Sequence, residues 1–349
     1  MDLLPSSEQT EIVNSSAAFL RDRWPISRTR EMFREPSNVD DAAWAAAAEL
    51  GWFGLGLPES HGGIGCGLAD EAVLFREIGR SLASGPFLSS VLAARVAAFG
   101  GNAALVDEIV AGRRVGLVIT DQAGALVLDS GGGGALTGDV QLIDADTTNA
   151  DGLVLVADER GAAIVEVGAL TNVTAIPCYD EATRLHRARA DNAVALVCIG
   201  ADNDPVARRG HVLAAAMLTG LAEAVRDLSA EHAKTRMQFD RPIGANQAIK
   251  HPCADMAVRA QLSLAQTLFA AVAADEGRPD AELHALSAHV VSAEAAQLGS
   301  AATVQVMGGM GFTFEHDAHL FAKRSFVLSQ FFGGTNALLG RLLELPEAI

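Results

Sequence analysis

The spacing of apolar positions divides the chain into three regions, and the first is helical. From residue 9 to about 115, apolar residues recur every three or four positions, as over 41–50 and 71–82, and this spacing predicts amphipathic helices. A segment rich in Pro and Gly at 57–65 predicts a loop between two of them, because neither residue favours a helix interior.

The second region has the pattern of strands. Short apolar runs rich in β-branched residues occur at 115–120, 153–157, 163–167 and 193–199, with Gly, Asp and Asn between them. Four consecutive glycines, Gly131 to Gly134, lack the strand-then-helix setting of a phosphate loop, so we predict a hairpin tip there.

Long helical patterns return after residue 204, over 205–236, 247–274 and 279–307. Pro242 and Gly244 break the first pair of helices, and Gly277 and Pro279 break the second. The order of helices, strands and helices, without β-α alternation, disfavours a doubly wound nucleotide fold. We predict an α+β multi-domain protein with an amino-terminal helical domain (1–115), a small central β domain (116–200) and a carboxyl-terminal four-helix-bundle domain (201–349).

Charge and composition exclude several functions. The 349 residues include 26 basic and 43 acidic ones, a formal charge of −17 that disfavours nucleic acid and anionic membranes as partners. Four scattered cysteines show no metal-ligand spacing, so no metal is predicted. We find neither a secretory signal nor an uninterrupted apolar run of about 18 residues, and we expect a soluble, cytoplasmic protein.

Two segments of the third region have anion-binding and ligand-binding character. At residues 236–251, Arg236 ends one predicted helix and Gln247 begins the next, and both guanidinium groups and helix N-termini bind pyrophosphate well. At 305–312, a helix runs from Gln305 into Gly308 and Gly309, where missing side chains would let a ligand approach the backbone. An ordinary glycine C-cap is the simpler explanation of the second segment taken alone.

Together these segments resemble the carboxyl-terminal domain of acyl-CoA dehydrogenases. Residues 236–251 match the family pattern R-x-Q-F-G-x-P-I-G-x-x-Q-A-I-x-H at most positions, and Gly308-Gly309-x-Gly311-Phe312-Thr313 matches a second family segment. Weaker similarity covers residues 50–54 and 57–63, which resemble the family's first helical domain. The resemblance spans most of the chain.

The resemblance implies an enzyme of acyl-CoA thioesters in which FAD lies between the subunits of a tetramer. The family positions that contact a neighbour's FAD are Arg236, Phe239, Gln247, Gln305, Gly308 and Gly309, and Thr335 is a further cofactor position. The reaction removes a proton beside the thioester carbonyl, which requires a general base. The electron acceptor implied by the resemblance is an electron-transferring flavoprotein.

The sequence departs from the family at the positions that supply this base. The glutamate of the motif Y-E-G-T is replaced by Gly333, and a second position used by some members falls near Arg209, Gly210 and His211, none of which is a carboxylate. The family segment T-E-P-x-x-G-S-D is absent at 118–124, and Ala337 stands where a flavin-contacting glutamine is usual.

Three interpretations remain open. The chain is similar to the degenerate subunit of bacterial acyl-CoA dehydrogenases of steroid side-chain catabolism, which are α2β2 assemblies of two unlike chains. It could instead be a homotetramer with an unusual base, such as Asp202, Asp204, Asp240 or His211. It could also be a non-catalytic scaffold protein that kept the fold.

Overall fold

The computed structural model describes residues 4–120, 125–128 and 133–345. Helices occur at both ends of the sequence and a β-sheet in its middle, so the predicted fold class is confirmed. The helices before the sheet are α1 (Ser7–Arg23), α2 (Ile26–Glu31), α3 (Asp41–Glu49), α4 (Leu68–Arg80), α5 (Phe87–Phe99) and α6 (Ala103–Val110). Those after it are α7 (Val206–Thr235), α8 (Gln247–Asp275), α9 (Ala281–Met307), α10 (Ala318–Leu328) and α11 (Gly334–Glu344).

Eight strands of the middle region form one mixed sheet. They are β1 (Val115–Thr120), β2 (Ala125–Leu128), β3 (Gly134–Ile143), β4 (Leu153–Asp158), β5 (Gly161–Glu166), β6 (Thr171–Ile176), β7 (Leu185–Val194) and β8 (Val197–Gly200). Their order is β6-β7-β3-β1-β4-β5-β8, with β2 on β3. All pairs are antiparallel except β1 with β4.

The centre of this sheet is buried because its strands carry continuous apolar runs. Positions 153–156 of β4 and 161–165 of β5 are all buried, which is typical of strands covered on both faces. Helix α5, itself buried at most positions, packs against β1, β4, β5 and β8.

Some strand predictions were wrong or incomplete. The run at 193–199 is two strands, because β7 ends at Val194 and β8 begins at Val197. The sequence analysis missed β2, β3, β6 and most of β7, because β6 is largely exposed and β7 alternates charged residues with alanine. The predicted hairpin tip, Gly131 to Gly134, falls partly outside the described residues, at Gly131 and Gly132. Its last residue, Gly134, is the first of β3 and pairs with Leu128 of β2.

The Cα positions divide the chain into two compact units. The bundle unit comprises Met1–Ile26, Ala72–Ala83 and His211–Ile349, and the sheet unit comprises Ser27–Glu71 and Ser84–Gly210. The predicted domain borders at 115 and 200 stay a prediction, because the two units are each assembled from separate stretches of sequence.

In the bundle unit, helix breaks coincide with the predicted glycines. Gly277 (φ 63°) follows α8, and the next amide, of Arg278, donates to the Ala273 carbonyl at 3.0 Å, which is a left-handed helix end. Gly308 (φ 62°, ψ −140°) is the C-cap of α9, so the predicted glycine cap is present, although its ψ differs from that of a left-handed end. These positions favour glycine because a Cβ makes positive φ costly.

Four buried hydroxyls form a ring where α7, α8 and α9 meet. Thr219 of α7 lies 2.5 Å from Ser263 and 3.1 Å from Thr267, both of α8, and Ser292 of α9 lies 2.8 Å and 3.3 Å from these two. Each hydroxyl can donate to the next, so the ring satisfies all four donors without water. Because partly satisfied buried networks are unfavourable, the ring specifies how the three helices align.

Helix α8 is long and apolar enough to cross a membrane, which is weak evidence because core helices of soluble proteins pass the same test. Its apolar positions are nevertheless interrupted by polar residues such as Arg259, Gln261 and Gln266. It packs along α9, yet only 39% of its apolar window is buried, and Val258 and Leu262 are each 58% exposed. An exposed apolar face of this size indicates a protein contact.

Removing one hydroxyl from the ring should destabilise the bundle unit. We expect Thr219→Val to lower the free energy of unfolding by about 1–3 kcal/mol, because it leaves neighbouring buried hydroxyls without a partner. The matched control is Thr235→Val, where an exposed hydroxyl donates only within its own helix, to the carbonyls of Glu231 at 2.9 Å and His232 at 3.5 Å, with an expected change below about 0.5 kcal/mol. Urea unfolding measures both, and equal effects would contradict the role of the ring.

Candidate functional site

The first candidate segment folds into a small hairpin after α7. Strands β9 (Met237–Gln238) and β10 (Arg241–Pro242) pair around a two-residue turn. Phe239 (φ 53°) and Asp240 (φ 60°) form this turn, both with positive φ, as in the tight type I′ turns of hairpins. Asp240, which replaces a family glycine, is thus a turn residue that tolerates this backbone, and it is exposed.

The hairpin presents an aromatic ring and a cation to solvent. The Phe239 side chain is 90% exposed. Arg236 is exposed, and no hydrogen bond or ion pair of its guanidinium is found among the described residues. The pKa of His232 is lowered mainly by burial and further by the nearby charges of His316 and Arg236. Protonation of His232 is therefore disfavoured, whereas the Arg236 guanidinium stays positively charged.

The glycine turn after α9 is open. Gly308 and Gly309 are exposed, and no atom lies within 4 Å of where a Cβ would stand on either. Gln305, just before them, and Gln247, at the start of α8, are also exposed. A bulky ligand could therefore approach the Gly308 and Gly309 backbone directly, which side chains at these positions would prevent.

The loop that replaces the family's glutamate has an unusual backbone. Phe332 (φ 56°), Gly333 (φ 129°) and Gly334 (φ 73°) are three successive residues with positive φ. An L side chain at Gly333 would be strained, although its nearest neighbours, in Ala337 and Leu338, are 3.7 and 3.8 Å from the Cβ position. The half-buried Thr335 follows this loop in the first turn of α11.

The second family position for a base is occupied by an ion pair within the sheet unit. Arg209 Nε donates to Glu71 Oε2 at 2.8 Å, and Glu71 is 1% exposed. The Glu71 carboxylate also lies against Gly56, where a Cβ would stand 2.2 Å from its carbon. A buried carboxylate in a charge-assisted pair is not available to take a proton from a substrate.

Asp204, another candidate base, is paired in a similar way. Arg95 donates from Nε and Nη2 to its two carboxylate oxygens at 2.8 and 2.9 Å, and both side chains are largely buried. Arg95 also donates to the Gly56 carbonyl at 2.7 Å. Asp204 therefore has a structural role, while Asp202 is exposed.

His211 is fully buried and lies 3.0 Å from His289, Nδ1 to Nδ1. Arg341 Nη1 lies 3.4 Å from His211 Nε2. Since arginine can only donate, His211 Nε2 accepts, so its Nδ1 carries the proton and donates to His289. The ring of Phe332 meets the His211 ring edge-on at 5.6 Å between centroids. Both nitrogens of His211 are thus engaged, which argues against His211 as the base.

Burial keeps both histidines neutral. It lowers the pKa of His289 from 6.5 to about 4. Burial, reinforced by His289 and by the Arg341 charge, places the pKa of His211 well below its ordinary value. Arg341 itself is held by Glu282 at 2.7 Å.

The structure gathers some predicted site residues and reassigns others. Arg236 and Phe239 lie in one hairpin, Gln305, Gly308 and Gly309 in one turn, and Gly210 is a buried helix residue. The sequence analysis missed Glu71 and His289, which are 138 and 78 residues from their partners, so no local pattern could reveal them.

Four residues of the segment 118–124, Asp121 to Gly124, lie outside the described residues. Among those that are described, no group of three His, Cys, Asp or Glu could hold a metal ion.

Comparison with known families agrees with this architecture. Residues 6–109 match the acyl-CoA dehydrogenase amino-terminal domain, and residues 208–344 match the acyl-CoA dehydrogenase carboxyl-terminal domain. The chain is also 30% identical over 346 residues to the acyl-CoA dehydrogenase IpdE2 of Mycobacterium tuberculosis, covering 97% of this chain and 98% of that protein. The chain belongs to the acyl-CoA dehydrogenase family.

Other relatives and solved structures extend the comparison. The chain is 31% identical to the acyl-CoA dehydrogenase FadE34 of Mycobacterium tuberculosis, over 92% of this chain but only 44% of that protein. A steroid acyl-CoA dehydrogenase, the Tcur3481–Tcur3483 G363A variant, has a TM-score of 0.85 at 26% identity, with 97% of both chains covered. The ChsE4–ChsE5 complex of Mycobacterium tuberculosis has a TM-score of 0.84 at 24% identity over all of both chains, which shows the fold alone.

Acid should destabilise the protein through the histidine pair. Because the pKa of His289 is about 4 when folded and 6.5 otherwise, the unfolded chain binds the extra proton between these values. We expect the contribution of His289 to be complete above about pH 6.5 and to fall by about 1.4 kcal/mol per pH unit below it, down to about pH 4. Urea unfolding across this range measures the slope, which His289→Gln should reduce. An unchanged slope would contradict a neutral buried pair.

The same substitution at two glycines should have opposite effects. We expect Gly333→Ala to lower the free energy of unfolding by about 1–3 kcal/mol, because φ is 129° there. Gly340→Ala, at an exposed position inside α11 with open space around it, should raise it by about 0.5–1 kcal/mol. The comparison requires only urea unfolding curves, and a neutral Gly333→Ala would mean that the loop relaxes.

Proposed function

We propose that this chain is a subunit of an FAD-dependent acyl-CoA dehydrogenase that catalyses α,β-dehydrogenation of an acyl-CoA thioester with an unlike partner subunit. The proposal rests on the contrast between exposed groups suited to a cofactor and a missing catalytic carboxylate. The groups suited to a neighbour's cofactor, in the Arg236 hairpin and at Gly308–Gly309, are exposed and open. Both family positions for the catalytic carboxylate lack an available one, since Gly333 has no side chain and Arg209 is paired with Glu71.

The exposed groups fit a flavin dinucleotide. Arg236 supplies a cation for the pyrophosphate, with no partner in the part of the chain that the structure describes, and Phe239 offers an exposed aromatic face. Gln247 and Gln305 have amides for hydrogen bonds, Thr335 adds a hydroxyl, and Gly308–Gly309 allow close approach of the backbone. When bound, FAD accepts the hydride from the acyl chain, and the proton beside the thioester must go to a base, which we assign to the partner.

The exposed apolar surface of the bundle unit supports an assembly. Val258 and Leu262 of α8, Leu298 of α9 and Phe239 of the hairpin are each more than 40% exposed. Patches of this kind mark protein contacts. We propose an α2β2 tetramer rather than a homotetramer, because a homotetramer would have no carboxylate at either family position. Of the other candidate bases, Asp204 and His211 are engaged in buried pairs, and Asp202 and Asp240 are exposed.

The relatives favour an unlike partner and a steroid substrate. The Tcur3481–Tcur3483 steroid acyl-CoA dehydrogenase and the ChsE4–ChsE5 complex each combine two named chains. In FadE34 the region similar to this chain is less than half of the protein, which leaves space for a second region of equal length. We therefore propose a steroid side-chain acyl-CoA as substrate and an electron-transferring flavoprotein as acceptor.

Co-expression tests the proposal. The chain is purified alone and together with a full-motif acyl-CoA dehydrogenase subunit encoded beside it, and mass, flavin absorbance and thioester dehydrogenation are compared. We expect flavin and activity only in the mixed tetramer. A yellow, active lone chain would refute the need for a partner, and a colourless complex would leave the scaffold interpretation.

Within that complex, Arg236→Ala should weaken FAD retention about tenfold or more, since it removes a charge-assisted contact worth about 1.5–3 kcal/mol. The measurement is the flavin-to-protein ratio after dilution and gel filtration. Arg21→Ala, on an exposed face of α1, is the matched control and should leave the ratio unchanged. Unchanged flavin in Arg236→Ala would contradict the assigned pyrophosphate contact.

A further inference from the structure

An apolar cleft lies in the bundle unit between the end of α7, the hairpin and the start of α8. Its volume is about 390 Å³, within the range of small-molecule sites. Ala230 and Ala233 of α7 form one wall, and Ile249 and Cys253 of α8 form another. We call this the lysine cleft, because Lys234 and Lys250 complete its lining.

The cleft results from the way α7, the hairpin and α8 pack together. At Gly244 the segment after the hairpin approaches α7 so closely that a Cβ would lie 2.8 Å from the Ala233 carbonyl oxygen. The small side chains of Ala230 and Ala233 leave space beside this backbone contact. The hollow therefore results from small residues in tightly packed elements, and a ligand could fill it without moving the backbone.

The two lysines give the apolar cleft a positive rim. For the Lys250 ammonium, no ion pair or hydrogen bond is found among the described residues. The acid paired with Lys234 is Glu231, at a long 3.9 Å with both side chains about 70% exposed, and such a pair is weak. Lysine stems can line an apolar wall while their ammonium groups stay in water. The rim of the cleft is therefore positively charged, although the chain as a whole has a net charge of −17.

We propose that the lysine cleft binds an aliphatic carboxylate, with the alkyl tail between α7 and α8 and the carboxylate between Lys234 and Lys250. The alkyl tail matches walls that are almost entirely apolar. The carboxylate neutralises two ammonium groups that have little else to bind. An aliphatic cation would be repelled, and an uncharged alcohol would leave the ammonium groups unused.

Titration calorimetry with short carboxylates tests the chemistry of the cleft. We expect hexanoate, octanoate and decanoate to bind with affinity rising roughly tenfold for each two methylene groups, as burial of each group predicts. Octanol should bind about tenfold more weakly than octanoate, and octylammonium should not bind. Equal affinity for octanol and octanoate, or no dependence on chain length, would overturn the proposal.

Two variants assign the binding to this cleft. Lys234→Gln combined with Lys250→Gln should weaken octanoate binding about tenfold, since two exposed ion pairs are lost. Lys323→Gln is the matched control, because Lys323 lies over the Phe314 ring and not in the cleft, and it should leave affinity unchanged. An equal loss in both variants would mean non-specific attraction.

Cys253 offers a second readout inside the wall. Burial raises the pKa of its thiol, and decanoate should slow its alkylation by iodoacetamide further, at least threefold, as followed by peptide mass spectrometry. Cys66 and Cys178, which lie in the sheet unit, should react at unchanged rates.

The same titrations in the complex with the partner subunit separate this inference from the proposed function, because no flavin signal is used. Retained binding supports a ligand site whatever the chain's catalytic role. Binding by the lone chain that disappears in the complex would overturn the proposal and assign the cleft to a subunit contact.

Discussion

The start of α7 depends on pairing buried charges and polar groups with partners far away in the sequence. Asp204 is bound by Arg95, Arg209 by Glu71, and His211 by His289. Each group would be unfavourable in the interior without its partner, since an uncompensated buried charge is strongly destabilising. These pairs fix the chain at the first turns of α7, and they also engage two of the candidate bases, Asp204 and His211. The same contacts that stabilise the fold thus remove catalytic groups from it.

The sequence was most informative where local chemistry decides the structure. Gly277 and Gly308 end helices because the backbone there has positive φ, and these boundaries were predicted correctly. Strands were harder, because β7 alternates arginine and alanine and gains its place by pairing with β3 and β6. A strand defined by its neighbours leaves little periodicity in its own sequence.

The candidate site likewise combines residues that local motifs reveal with residues whose partners lie in other elements. Arg236, Phe239 and the two glycines after α9 could be selected from motifs, and the structure adds that they are exposed and open. The motifs could not reveal that Arg209 is neutralised by Glu71, or that His211 is a neutral member of a buried pair, because those partners belong to other elements. The turn at Phe239 and Asp240 was likewise visible as a loop but not as a pair of positive φ values.

The loop at Phe332, Gly333 and Gly334 limits how this sequence can change. Once three successive residues have adopted positive φ, a single replacement of Gly333 by glutamate would meet a backbone unsuited to any side chain. Several residues would have to change together before a carboxylate could function there again. In the present backbone, a single substitution therefore could not restore a carboxylate at position 333 without strain.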